Sequence, residues 1–180
     1  MDKINTAMTL KVNFSKLIIS FLFLLPFIPS SIAQIKFRTV KGIKANYTIE
    51  IPPNFQNQVK IGANVDLKYA NDQGVSIVTT VVKLPIYEKI EDLGNITTSD
   101  LINFFKSKGK ENISIISNGF FLLNGAKTHY MYYRDEILYY HSISQYVQGK
   151  CINLTFTCKY TDKTNYMPML YRVVNSLNHI

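Results

Sequence analysis

The residues able to do chemistry here are few: three histidines, two cysteines and an acidic pair, Asp135-Glu136. His129 and His141 fall on neighbouring segments of alternating apolar and polar residues, which reads as a pair of antiparallel strands. With a two-residue turn at Asp135-Glu136, position 130 opposes 141 and His129 opposes Ser142. The two imidazoles then point to opposite faces and cannot share a metal. A slip of one residue would set His129 directly across from His141. Even then the pattern supplies no third ligand. No metal site and no cofactor is expected. His141 stands among apolar neighbours and reads as a hydrogen-bonded core histidine. His179 stands at the very end of the sequence, where disorder is the expectation.

Cys151 and Cys158 lie on one predicted strand with opposite parity, so their side chains leave opposite faces and do not bridge. Cys158 reads as a buried thiol. Cys151 shares a face with His129, its one conceivable base, but a Cys–His pair needs contact that spacing alone does not supply. Asp135-Glu136 reads as a turn facing water. His-Glu-x-x-His, Gly-x-Ser-x-Gly and the phosphate-cradling Gly-x-x-x-x-Gly-Lys-Ser/Thr are absent from the sequence. Asn118-Gly119 and Asn124-Gly125 read as turn dipeptides.

What the chain has in quantity is tyrosine, with 12 Tyr and no Trp. Tyr130, Tyr132, Tyr133, Tyr139, Tyr140 and Tyr146 crowd two neighbouring strands. Tyrosine suits a pleated, half-buried surface. It also builds contact surfaces, burying area while keeping a hydroxyl for bonding. Both readings stand. On the face away from the core, the candidate binding residues are Lys127, His129, Tyr140, Ser144 and Tyr146.

These positions need a scaffold. Ile35 to Val40 is a first strand, and Tyr47 to Ile51 alternates until Pro52-Pro53 stops it. Val65 to Tyr69 and Val75 to Leu84 read as a hairpin around Asn71-Asp72-Gln73-Gly74. Thr97 and Asp100 have capping-box spacing. Leu101, Phe104, Phe105 and Lys108 follow on one helical face, with the aromatic pair read as core, and Gly109 ends the helix. Ala126 to Tyr133, Ile137 to Val147 and Lys150 to Cys158 are long strands, the last two joined by Gln148-Gly149. That turn pairs Val147 with Lys150, Ile143 with Leu154, His141 with Phe156 and Tyr139 with Cys158. Ile137, Tyr139, His141, Ile143, Val147, Ile152, Leu154, Phe156 and Cys158 then share the apolar face. Tyr166, Met169, Leu170, Val173 and Leu177 mark a second amphipathic helix, with Pro168 in its first turn. The expectation is an α+β fold, a mostly antiparallel sheet with a helix on each side.

The start of the chain bears on compartment. Lys3, Lys11 and Lys16 precede an apolar run from Leu17 to Ile28, and Ser31-Ile32-Ala33 offers small residues for cleavage before Gln34. Residues 1–33 thus read as a cleavable signal peptide and 34–180 as one domain. The run is too short to span a bilayer. The protein is expected outside the cytoplasm, periplasmic or secreted, with no membrane span after cleavage. Removing those residues takes the net charge from +8 to +6. The lysines are scattered, so no nucleic-acid track is expected, only mild attraction to anionic surfaces.

Three passages resemble the PsbP family, the extrinsic lumenal proteins of photosystem II and their exported bacterial relatives. They are Tyr47-Thr-Ile-Glu-Ile-Pro-Pro-Asn-Phe55, Asn124-Gly-Ala-Lys-Thr-His-Tyr130, and the ending from Gly149 through Leu154-Thr155, Tyr166-Met-Pro168 and Val173-Val-Asn-Ser176-Leu177. The resemblance implies an α/β/α sandwich around an antiparallel sheet and a binding or assembly role rather than catalysis. Fold alone does not give function. The plant subunit's photosystem contacts do not carry over, since no residues here match the extension that carries them. The functional expectation is a non-enzymatic exported binding or assembly module, with an unidentified protein or small ligand as partner. The alternatives are a small-molecule carrier, using a cleft between the sheet and the first helix, or a small metal-dependent hydrolase near His129.

Overall fold

The structure, a computed structural model, describes residues 36–84 and 89–180. The expected signal peptide lies outside them. A compact unit spans Ile35–Ile180. Its strands are β1 (Arg38–Lys41), β2 (Tyr47–Ile51), β3 (Gln56–Asn57), β4 (Val65–Ala70), β5 (Ser76–Lys83), β6 (Ser114–Leu123), β7 (Ala126–Arg134), β8 (Leu138–Val147), β9 (Lys150–Lys159) and β10 (Asn178–His179). Helix α1 is Thr98–Ser107 and α2 is Lys163–Asn175. Two 3-10 turns, Ile90–Asn95 and Tyr160–Asp162, precede them.

Seven strands form one sheet in the order β3-β4-β5-β9-β8-β7-β6, and β1, β2 and β10 form a second. All pairings are antiparallel. The β8–β9 register is the expected one, with Val147 opposite Lys150 and His141 opposite Phe156. Gln148 and Gly149 both adopt positive φ, as a two-residue type I′ connection demands. Asn124 and Gly125 do the same between β6 and β7.

The β7–β8 connection differs from expectation. Asp135 Oδ1 accepts hydrogen bonds from the backbone N–H groups of Ile137 and Leu138, 2.9 and 2.6 Å long. The carboxylate thereby organises a turn longer than two residues, and Arg134 pairs with Tyr139. The register moves by two. His129 opposes Ser144 rather than Ser142, and Tyr132 rather than Tyr130 opposes His141. An even shift keeps every side chain on its predicted face, so the histidines stay on opposite sides. Ile137, expected on the apolar face, sits in the turn and is exposed.

Other expectations change too. Asn118-Gly119 is no turn, because β6 runs straight through it. Gly119 faces Tyr130, and a Cβ there would lie 2.9 Å from the Tyr130 hydroxyl, so glycine makes room for the ring. His179 is ordered as part of β10, and its Nε2 lies 2.5 Å from Gln145 Oε1. Pro168 falls in the second turn of α2, because the helix starts earlier than expected.

The core lies on the sheet face that carries Tyr139, His141, Ile143, Ile152, Leu154, Phe156 and Cys158. Tyr47, Ile49 and Ile51 of β2 and Leu170, Val173 and Val174 of α2 close it. A bulge between Val65 and Leu67 lets both Asp66 and Leu67 turn inward. The buried Asp66 carboxylate accepts from the Ile43 and Lys44 backbone and from the Tyr47 hydroxyl. On the other face Phe105 of α1 joins Ile113 and Tyr133 in a small separate cluster. Thr97 caps α1 through the expected box with Asp100. Of the aromatic pair only Phe105 is core, while Phe104 is 55% exposed. The molecule is mostly antiparallel sheet, and α1 touches it through that one cluster.

Candidate functional site

The five residues singled out from the sequence do share one sheet face, yet they do not converge. Lys127 pairs with Glu91 at 2.9 Å and lies over the Phe120 ring. His129 is 8% exposed and meets Phe120 edge to face, with centroids 5.2 Å apart. Burial pushes its pKa down. Ser144 accepts a bond from Asn153 Nδ2, which also donates to Ser142 Oγ. Tyr140 stacks flat on Tyr133, donates to Asp135 Oδ2 and receives a bond from Lys110. Tyr146 opposes Cys151 in the register. Among the described residues no three His, Cys, Asp or Glu side chains are grouped to hold a metal. Cys158 lies on the core face and Cys151 on the other, unbridged to each other.

A concave site opens on the opposite face, against α2 rather than α1. Phe121 of β6, Tyr130 and Tyr132 of β7, His141 of β8, and Tyr171, Val174 and Asn175 of α2 line an open cleft of about 380 Å³. Strand alternation sets the sheet side of this cleft, because Tyr130, Tyr132 and His141 share one parity across β7 and β8. Their rings form a row. Tyr130 and Tyr132 have centroids 4.7 Å apart, and Tyr132 and His141 4.0 Å. Tyr171 approaches His141 edge-on at 6.4 Å, and Phe121 flanks Tyr130 at 6.1 Å.

The electrostatics are those of an uncharged site. His141 is 2% exposed, and desolvation pushes its pKa down to about 4, so the ring is neutral at pH 7. Its Nδ1 is buried without a hydrogen-bond partner, unlike the satisfied core histidine expected. An unmet lone pair costs less than an unmet N–H, which places the proton on Nε2. Desolvation raises the Tyr132 pKa, keeping that phenol protonated. Aromatic walls and phenolic hydroxyls suit an apolar or planar group with an acceptor atom.

The fold is PsbP-like. The solution structure of cyanobacterial PsbP (CyanoP) from Synechocystis sp. PCC 6803 superposes with a TM-score of 0.67 at 13% identity, over 83% of this chain and 96% of that one. A Pseudomonas aeruginosa protein of unknown function, described as a putative regulator, reaches a TM-score of 0.51 at 12% identity, over 80% and 97%. No family model and no curated protein matches the chain. At such identities the PsbP-like likeness is one of backbone alone.

The sequence held a signal for the PsbP-like sheet but a poor one for the cleft. Alternation placed Tyr130 and Tyr132 with His141, yet core patterning made that whole face interior. What opens it is α2. Its inward stripe, with Leu170 and Val173 fully buried, leaves Tyr171 half exposed at the rim.

Proposed function

We propose that the chain is an exported binding or assembly module of the PsbP-like family. It performs no covalent chemistry and uses the aromatic cleft beside α2 to hold an uncharged planar or apolar group of its partner. The signal peptide 1–33 is cleaved before Gln34, and the mature chain works in the periplasm or the medium. Its layers are those of an α/β/α sandwich. The observation that carries this reading is a cleft of about 380 Å³ lined by Tyr130, Tyr132, His141 and Tyr171. That volume lies within the range of small-molecule sites, about 300–1,000 Å³, which favours the carrier variant of this reading. The hydrolase alternative has no such support, since His129 lies against Phe120 rather than among converging polar groups.

The test is native mass spectrometry of the mature chain, taken gently from its own host. Parent protein should carry an added mass that Tyr171→Ala loses and His129→Ala keeps. A bare mass for the parent, or loss on His129→Ala alone, overturns the proposal.

A further inference from the structure

We infer that the end of the domain carrying the β1–β2 and β3–β4 connections docks on an anionic phospholipid bilayer. This is independent of the aromatic cleft. Two loops meet at this end, since Ile43 N and Lys44 N both donate to Asp66 at the start of β4 and Lys44 Nζ donates to Ala63 O. From them Ile43, Val59 and Ile61 protrude, 72%, 79% and 77% exposed. Three aliphatic side chains on two adjoining loops offer more apolar surface at one end of the domain than a single exposed residue would.

Their surroundings are basic. Lys41 and Lys60 flank them along the chain and are exposed. Lys150 donates to Lys44 O, and Lys83 stands opposite Lys150 in the β5–β9 register. Asp66 beneath these loops is fully buried, with its oxygens bound by backbone N–H groups and Tyr47. A polar cavity of about 240 Å³ opens beside the loops, lined in part by Lys44, Asn46, Gln148, Lys150 and His179.

This set matches a lipid surface at each depth. Exposed aliphatics enter the acyl boundary, lysines meet the anionic headgroups, and the polar cavity accommodates a headgroup phosphate. An acidic protein surface would satisfy the lysines but leave three protruding aliphatic tips without an apolar host.

Co-sedimentation of the chain from Gln34 to Ile180 tests this with phosphatidylcholine vesicles with and without phosphatidylglycerol. Binding should require phosphatidylglycerol and weaken with added salt. Ile43→Ser with Ile61→Ser should reduce binding by roughly tenfold or more. Lys41→Gln and Lys60→Gln should each reduce it about fivefold. The chain has no Trp, so Ile61→Trp is a clean reporter, and its emission should shift to the blue on bound vesicles. Tyr171→Ala should bind vesicles as the parent does. Equal binding to both vesicle types, unchanged binding of the double serine variant, or release by inorganic phosphate or polyglutamate at constant ionic strength would each overturn the inference.

Discussion

Tyr132 sits directly across the β7–β8 register from His141, with its ring over the imidazole, centroids 4.0 Å apart and planes at 34°. The imidazole is thus desolvated on one face by a tyrosine and flanked edge-on by Tyr171. Among the described residues no charged partner compensates, so burial sets its protonation and pushes the pKa down to about 4. The unfolded chain takes up this proton near the ordinary value of about 6.5. Folding stability contributed by the neutral ring is therefore complete above that value and is lost as pH falls toward 4. The full effect is about 3 kcal/mol. His129 and His179 shift the same way through burial. His141→Phe, which keeps the stack on Tyr132 and removes the titration, should narrow the gap between urea midpoints at neutral and mildly acidic pH. An unchanged gap would show that His141 is not the group responsible.

The contrast between the two hairpins of β7, β8 and β9 shows how much the sequence reveals. Gln148-Gly149 is a local signal, because both residues must take positive φ and glycine removes the penalty at one of them. The β8–β9 register follows from it. Asp135 carries no such signal in its type, since its turn depends on which backbone N–H groups the carboxylate caps. Face assignments survived because alternation depends only on parity. The short strands β3 and β10 have almost no pattern of their own and exist through pairing with β4 and β2. The cleft is harder still. It comes from where α2 lies across the sheet, and no local residue pattern encodes that placement.

Gly42 shows a packing demand hidden in a loop. A Cβ there would stand 2.1 Å from Tyr47 Cε1. Tyr47 cannot swing away, because it is fully buried and its hydroxyl is bound to Asp66 and Thr79 at 2.7 and 2.5 Å. Gly42→Ala should cost about 3 kcal/mol or more, at or beyond the upper range for overpacking. Gly74→Ala meets no atom within 4 Å but has φ +78°. It should cost only about 1–2 kcal/mol, the left-handed backbone penalty. Chemical denaturation of both variants checks the order, and a milder Gly42→Ala would mean that the β1–β2 loop yields.

Phe105 is the buried anchor of α1. Its ring lies 4.8 Å from that of Tyr133, with Ile113 alongside. Truncating a buried Phe in a main core costs about 3–5 kcal/mol. Here the cluster is separate from the main core, so α1 can detach and limit the global loss. Phe105→Ala should therefore lower global stability by only about 1–2 kcal/mol while amide protection across Thr98–Ser107 disappears. Hydrogen exchange distinguishes this from a uniform loss. Intact protection in α1 would mean that its cap and its other contacts hold it without Phe105.

Cys158 should behave as an inert thiol even in an oxidising compartment. It is fully buried, and desolvation pushes its pKa up to about 11. Cys151 leaves the opposite face of the same strand, so no movement short of unzipping β9 joins them. Thiolate is the reactive form, so an aromatic disulfide reagent near pH 8 should label Cys158 only when urea unfolds the chain. The same shift gives a second signature with the opposite sign to that of His141. The unfolded thiol ionises near 9 and the folded one near 11, so this group lowers stability as pH rises between them. Cys158→Ala should flatten that alkaline decline at the cost of a small cavity. Reductant should leave the melting temperature unchanged, and the native mass should show both thiols. A mass lower by two hydrogens, or rapid labelling of Cys158 in the folded protein, would place that strand in a conformation other than the one described.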